Sequence, residues 1–132
     1  MEIRTTLGQF IAHQRKERSM SSQELANMLS ISVSYLSQLE HGVRVNPNIE
    51  LLLHLSEALH LSSEETEVLF DLYASVNDAL SPDVVLYAKS NPIVVRALRT
   101  ARDCNLTDDD WLFIIEWMKK TMTDSSASSF DL

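Results

Sequence analysis

The residues of this sequence with the clearest chemical capacity lie between Ser32 and Gln38. Ser32, Ser34 and Ser37 carry hydroxyl groups that donate and accept hydrogen bonds, and Gln38 presents an amide donor beside an acceptor. Val33 adds an apolar surface, and the set contains no carboxylate. The amide can pair bidentately with adenine, the hydroxyls with donors or acceptors on base edges, and the valine with a thymine methyl group. Held on one face of a helix, this set suits a DNA groove.

Two short helices separated by a tight turn are predicted to hold these residues. Ser21 and Glu24 form a capping box, which starts a helix that should end near Leu29. Ser32 caps a second helix, and Gly42 closes it because glycine accepts a left-handed backbone. Apolar side chains should pack the two helices together: Leu25, Ala26 and Leu29 from the first, Ile31 from the turn, and Leu36 and Leu39 from the second.

At these residues the sequence resembles the Cro/CI-type (lambda-repressor-like) helix-turn-helix family. The resemblance covers about residues 7–73 and rests on L-G-x-F-I-x-x-x-R-K-E-R, Q-E-L-A, I-S-x-S-Y-L-S-Q-L-E-H-G and N-P-N-I-E-L-L. Two residues depart from the family pattern: Ser30 replaces a glycine of the turn, at a cost in strain, and Ser22 replaces a glutamine that often contacts DNA. The resemblance implies a five-helix domain that binds double-stranded DNA with its recognition helix, here about Val33 to His41, in the major groove.

The resemblance also implies roles for residues outside the recognition helix. It pairs Arg15 with Glu40 in a partly buried salt bridge, although the helix dipole alone would also favour cations near the end of the first helix. Arg44, Asn46 and Asn48 lie where the family places a loop and a helix start over the DNA backbone; the alternative is an ordinary surface loop. Further phosphate contacts are predicted for Ser22, Gln23 and Tyr35.

Helical periodicity extends along the whole chain. Apolar residues recur at spacings of three and four, and no strand-like alternation appears, so the fold class is predicted to be all-α. The first helix should end near Glu17, Pro47 should lie in the first turn of the fourth, and the fifth should end near Asn77. Residues 1–78 are therefore predicted to be the DNA-binding domain.

A three-helix extension is predicted for residues 79–122. Ser81-Pro82 and Asn91-Pro92 should begin two helices, and Thr107 with Asp110 should cap the last. The last helix is apolar almost all round, which is typical of a helix buried on more than one side. A second subunit is the simplest cover, and the alternative is a helix folded back over its own domain. The predicted dimer interface comprises Trp111, Ile114, Ile115, Trp117 and Met118.

The charge of the chain is unevenly distributed. The 132 residues carry a formal net charge of −8; residues 1–60 hold five Lys and Arg against six Asp and Glu, and the remainder holds six against thirteen. Because DNA-binding domains are usually basic, we expect the acidic C-terminal half to face away from DNA, free for a protein or small-molecule effector. Residues 123–132 are predicted to be a flexible tail.

Other classes of function find little support in the sequence. It lacks a Gly-rich phosphate loop, a nucleophile elbow and a locally spaced acid/base pair, so we do not expect an enzyme. Neither a metal nor another cofactor is predicted, because the histidines lack ligand spacing and Asp108–Asp110 suit a helix start. A single cysteine, Cys104, and the lack of an apolar stretch of ~20 residues lead us to expect a cytoplasmic protein without a membrane contact.

We therefore expect a sequence-specific transcriptional regulator, a dimeric repressor that reads a two-fold operator in double-stranded DNA. Occlusion of a promoter would be its mode of repression. The alternative is an antitoxin-like interaction protein that binds a partner protein through its acidic C-terminal half. DNA binding would then serve autoregulation or be lost.

Overall fold

A computed structural model describes residues 5–128, with side chains described as far as Asp124. Within this range the regular structure consists of eight α-helices and no strand: α1 (Leu7–Glu17), α2 (Ser22–Leu29), α3 (Val33–Glu40), α4 (Ile49–Ala58), α5 (Ser63–Asn77), α6 (Pro82–Ser90), α7 (Pro92–Asp103) and α8 (Asp108–Ser128). The predicted all-α class, with five helices followed by three, is confirmed. None of the described helices is both long and apolar enough to cross a membrane.

Side-chain caps explain where the helices of the N-terminal half begin. Thr6, Ser21 and Ser62 each close a capping box with the residue three positions later. Ser32 and Asn48 each accept a hydrogen bond from the backbone N–H three residues later. Every such cap satisfies an N–H group that has no partner inside its helix. The starts of these helices therefore follow from interactions between neighbours in sequence.

The start of α4 corrects one prediction. The expectation that Pro47 lies in the first turn of this helix is wrong, because α4 begins at Ile49 and Pro47 is buried in the preceding loop. Asn48 supplies the cap instead, with 2.8 Å between its Oδ1 atom and the N atom of Leu51. This side-chain hydrogen bond moves the start of the helix beyond the proline.

One apolar core joins α1 to α5. Each helix contributes the face that its 3.6-residue period brings inward, and Leu53 of α4 lies outside this face with 40% of its surface exposed. The buried side chains include Leu7, Phe10, Ile11, Leu25, Ala26, Leu29, Leu36, Leu39, Leu51, Leu52, Leu55, Leu59, Leu69 and Phe70.

α1 and α3 are in close contact at Gly8. A Cβ atom at this position would lie 2.4 Å from the carbonyl oxygens of both Leu39 and Glu40. Real side chains do not tolerate such a distance, so the last turn of α3 can rest against α1 only because residue 8 has no side chain. The position of α3 depends directly on this glycine.

The chain divides into two compact units, one ending at Tyr87 and one beginning at Ala88. The boundary thus lies inside α6, beyond the predicted domain limit at residue 78. Ser81 and Pro82 are buried, and the Ser81 hydroxyl donates a hydrogen bond to the carboxylate of Asp71 in α5. This contact attaches the start of α6 to the first unit.

The last helix is longer than predicted. α8 continues to Ser128 and so includes the beginning of the segment predicted to be a flexible tail. Residues 129–132 of that segment lie outside the described residues.

Candidate nucleic-acid interface

α3 has a buried face and an exposed polar face. Leu36 and Leu39 are 0% and 1% exposed and fix the helix in the core. The opposite face carries the predicted base-reading residues: Ser32, Val33, Ser34 and Ser37 are exposed, and Gln38 is half-buried. Such a helix presents hydrogen-bonding groups to solvent while its backbone is held rigidly by the core.

Two of the serine hydroxyls already have partners in the first unit. Ser32 Oγ accepts a hydrogen bond from the N–H of Tyr35 at 2.9 Å, which leaves the hydroxyl hydrogen available. Ser37 Oγ lies 3.3 Å from Nδ1 of His41, and the same nitrogen lies 2.8 Å from the Ser37 carbonyl oxygen. A carbonyl only accepts, so His41 Nδ1 carries the hydrogen. The Ser37 hydroxyl therefore retains its own hydrogen for a ligand.

The turn after α3 folds back onto Gln38. Gly42 adopts a positive φ of 77°, and the N–H groups of Val43 and Arg44 both donate to the Gln38 carbonyl oxygen, at 2.9 and 3.1 Å. Arg44 Nε also donates to Oε1 of the Gln38 side chain at 3.3 Å. This side-chain pair was not predicted from the sequence, in which Gly42 was the signal that the chain reverses here.

The predicted contact residues of α2 lie at its first turn. Ser22 is half-buried and Gln23 is exposed. Gln23 Nε2 donates to Oδ1 of Asn27, one turn later, at 2.8 Å. This bond does not use the side-chain oxygen of Gln23. The Gln23 amide therefore keeps its acceptor for another partner, while one of its donors is occupied.

Tyr35 and Asn48 line one shallow pocket of about 240 Å³. Tyr35 is partly buried against the core, and Asn48 uses its side-chain oxygen for the cap of α4. Glu50, in the first turn of α4, lines the same pocket. A phosphate bound there would lie near a carboxylate, which opposes its binding.

The loop that carries Asn46 is tied to α5. Asn77 Nδ2 donates to the carbonyl oxygens of Val45, at 2.7 Å, and of Tyr73, at 2.9 Å. Asn46 itself is exposed. The loop is therefore fixed on one side by a side-chain hydrogen bond and on the other by the buried Pro47.

A bidentate salt bridge connects α1 with α3. Arg15 Nε and Nη2 donate to the two carboxylate oxygens of Glu40 at 2.8 and 3.0 Å, and Nη1 donates to the Met20 carbonyl oxygen at 2.9 Å. The side chains are only 11% and 7% exposed. Hydrogen bonding to Glu40 raises the pKa of the Arg15 guanidinium above its ordinary value, outweighing the opposite effect of burial. This is the pair implied by the resemblance, and it neutralises the carboxylate of α3.

The predicted dimer residues of α8 fall into two groups. Trp111 and Ile114 are half-buried and line a groove of about 450 Å³ between α7 and α8. Ile115, Trp117 and Met118 are 38%, 58% and 50% exposed. The first group therefore packs inside the second compact unit, and the second group leaves an apolar surface on it.

Asp110, in the first turn of α8, has a local partner. The carboxylate of Asp110 accepts a hydrogen bond from the N–H of Thr107 at 2.9 Å, and the Thr107 hydroxyl accepts one from the N–H of Asp110 at 3.2 Å. Among residues 5–128, no three His, Cys, Asp or Glu side chains are grouped so that they could hold a metal ion.

Known proteins match the part of the chain that contains this interface. The helix-turn-helix family model matches residues 11–65. The HTH-type transcriptional regulator SinR of Bacillus subtilis is 39% identical over 56 residues, which are 42% of this chain and 50% of SinR. The chain thus spans about half the length of that relative.

Two further similarities differ in extent. An uncharacterized HTH-type transcriptional regulator of Sinorhizobium fredii is 35% identical over 65 residues, which are 49% of this chain and 83% of the relative. A solved structure of a complex of the SinR and SinI proteins aligns with 89% of this chain and 99% of that chain, at 24% identity and a TM-score of 0.46.

Proposed function

Because the chain belongs to the helix-turn-helix transcriptional regulators of the Cro/CI type, we propose that it acts as a dimer that binds a two-fold operator in double-stranded DNA. In this proposal α3 lies in the major groove, with its N-terminal part at the base edges. The bound dimer represses transcription by occluding a promoter.

The exposed polar face of α3 is the observation that carries this proposal. Ser34 and Ser37 stand in solvent, whereas Leu36 and Leu39 anchor the same helix in the core. The acidic residue of the helix, Glu40, is held by Arg15 and so repels phosphate little. A helix that reads bases needs available polar groups on a rigid support, and α3 combines the two.

The described part of the first unit offers few cations for phosphate contacts. Arg18 lies 3.6 Å from the Glu65 carboxylate and donates to Gln14, so its charge is already engaged. Among residues 5–87, the exposed Lys and Arg side chains are Lys16 and Arg44, and we assign both to phosphate contacts in each subunit. Four such contacts in a dimer give a log–log salt slope of roughly −4. Specific binding should therefore depend on base contacts and two-fold geometry, and salt-titrated binding to operator and scrambled duplexes measures this.

The apolar surface of the second unit supports dimer formation. Phe113 and Met122 are 73% exposed and Trp117 is 58% exposed. Exposed apolar side chains of this size are available to be buried against a partner. A two-fold operator requires two recognition helices, so we assign this surface to a second copy of the chain.

The same surface also favours a second candidate function. An interaction protein of the antitoxin type would cover it with a different partner protein, aided by the acidity of the C-terminal half. The two functions differ in the free protein: the first requires a homodimer, and the second leaves the apolar surface uncovered until the partner binds. Light scattering of the free protein at micromolar concentration therefore discriminates between them.

Selection of bound sequences from random duplex DNA tests the principal proposal. We expect one preferred site with two-fold symmetry. Gln38→Ala should cost ~1 to 3 kcal/mol on this site and relax one base position in each half-site. Gln23→Ala removes an amide assigned to phosphate and should weaken binding to all sequences alike. Equal losses on operator and scrambled DNA for Gln38→Ala would refute the assignment of Gln38.

Trp117→Glu tests the assembly. The buried charge should prevent dimer formation, while circular dichroism still reports a helical protein. Operator affinity should then fall steeply, because one half-site provides only part of the contacts. Val68→Glu is the matched control, since Val68 is a 45% exposed apolar residue of α5 in the first unit. A Trp117→Glu variant that stays dimeric contradicts the proposed interface.

A further inference from the structure

We propose that Arg44 fixes the orientation of the Gln38 amide and thereby sets the base that Gln38 prefers. Arg44 then has a second role beside phosphate binding: it is a positioning residue for base recognition. The inference rests on the proposed function, in which Gln38 faces a base edge.

The turn after α3 brings Arg44 beside Gln38 by backbone geometry. The positive φ of Gly42 reverses the chain, and two N–H groups, those of Val43 and Arg44, close the turn on the Gln38 carbonyl oxygen. The main chain of Arg44 is therefore bound to the same residue as its side chain. The contact between the Arg44 and Gln38 side chains therefore needs no further ordering of the loop, and this lowers the entropic cost of the contact.

The chemistry of the pair determines which way the amide points. Arginine has only donors, so the Gln38 atom that faces Arg44 Nε at 3.3 Å is the oxygen, Oε1. Rotation of the amide by 180° would bring its NH₂ group against Arg44, donor against donor. Arg44 thus selects one of two orientations that an isolated glutamine amide would adopt about equally.

A fixed orientation has a direct consequence at the base edge. Adenine offers the N6 amino donor and the N7 acceptor, which match Oε1 and Nε2 of a single amide orientation. Guanine offers two acceptors, N7 and O6, and an amide that turns freely can meet them with its NH₂ group. The second lone pair of Oε1 remains for the N6 amino group when Arg44 occupies the first. Arg44 therefore favours adenine over guanine at the base that Gln38 contacts.

The Arg44 side chain can bind a phosphate at the same time as it holds the Gln38 amide. Arg44 is exposed, and its two Nη groups extend beyond the Nε atom used for Gln38. Lysine has a methylene group, Cε, where arginine has Nε, so it keeps a charge for phosphate at the end of its chain but loses the donor that faces Gln38 Oε1. This difference between the two basic residues separates the two roles of Arg44.

Binding of the full-length protein to matched duplexes tests the inference. The first probe is the preferred duplex selected from random DNA. The second is the same duplex with G·C in place of the A·T pair at the position where Gln38→Ala loses its base preference. A bidentate pair discriminates between such duplexes by about 5- to 150-fold. We expect Arg44→Ala to reduce the ratio of the two dissociation constants at least threefold, and Arg44→Lys to recover overall affinity without recovering that ratio.

Two further variants complete the experiment. The double variant Gln38→Ala/Arg44→Ala should discriminate no less than Gln38→Ala alone, since Arg44 acts through Gln38. Lys16→Ala removes another exposed cation of the first unit and should weaken both duplexes by the same factor. The inference is overturned if Arg44→Ala also weakens binding to the two duplexes by the same factor. A wild type that selects no preferred duplex would refute the proposed function itself, together with everything that rests on it.

Discussion

Removal of the Glu40 carboxylate should destabilise the first unit more than any exposed charge substitution. Glu40→Ala leaves the Arg15 guanidinium at a site where its side chain is only 11% exposed. The arginine cannot lose its proton to escape this situation, because the pKa of a guanidinium lies far above neutral pH. Its hydrogen bond to the Met20 carbonyl oxygen holds it in place. The variant therefore contains a largely buried cation without a counter-ion.

The size of the loss in the free energy of unfolding follows from the burial of the Arg15–Glu40 pair. Breaking a buried salt bridge by removing one partner costs about 3 to 5 kcal/mol, and the residual exposure here favours the lower end, ~3 kcal/mol. For a unit of this size each kilocalorie corresponds to roughly 4 to 8 °C in Tm, so Tm should fall by about 12 to 24 °C. Replacing the two residues together by Met and Leu should cost far less, because no unpaired charge remains.

Thermal and urea unfolding followed by circular dichroism measure these differences. Glu17→Ala is the control, since Glu17 also pairs with a neighbour, at 3.6 Å from His13, but is 62% exposed. Its loss should cost under about 1 kcal/mol. A Glu40→Ala variant that unfolds within 4 °C of the wild type would show that the pair behaves like a surface salt bridge, and the reasoning from burial would be wrong.

Three other substitutions test separate features of the first unit. Gly8→Ala should destabilise it by roughly 1 to 3 kcal/mol or more, measured by urea unfolding, because the new Cβ meets two α3 carbonyl oxygens at 2.4 Å. Ser30→Gly should raise Tm, with a gain of about 0.5 to 1 kcal/mol, since Ser30 ends α2 at a φ of 57°. Hydrogen bonding to the Ser62 backbone lowers the pKa of Glu65 below its ordinary value against the opposite effect of burial, with smaller contributions from the Ser62 side chain and the Arg18 charge. That stabilisation is present above the pKa of Glu65 in the unfolded chain and is lost as pH falls through the lower folded-state pKa, so Glu65→Gln should lose less stability than the wild type on acid titration.

The sequence by itself determined the features that depend on near neighbours. The capping residues Ser21, Ser32 and Ser62 fix their helix starts through bonds to N–H groups three residues away. The break at Ser30 and the reversal at Gly42 are likewise local, since each requires a left-handed backbone at one residue. Such interactions leave a recognisable pattern in a short window of residues. The division of α3 into an apolar and a polar face is encoded in the same way.

Only the tertiary structure decided the features that join distant residues or choose between local alternatives. Pro47 suits a first helical turn in sequence, yet it is buried in the loop before α4, which begins at Ile49. The hydrogen bond between the Ser81 hydroxyl and Asp71 joins the start of α6 to another helix. The contact between Arg44 and Gln38 likewise appears only when the turn has folded back onto α3. Asp71 and Ser81 lie ten residues apart, and Gln38 and Arg44 lie six apart. Both separations exceed the three- and four-residue spacings that a helical pattern encodes, so the three-dimensional fold had to bring these partners together.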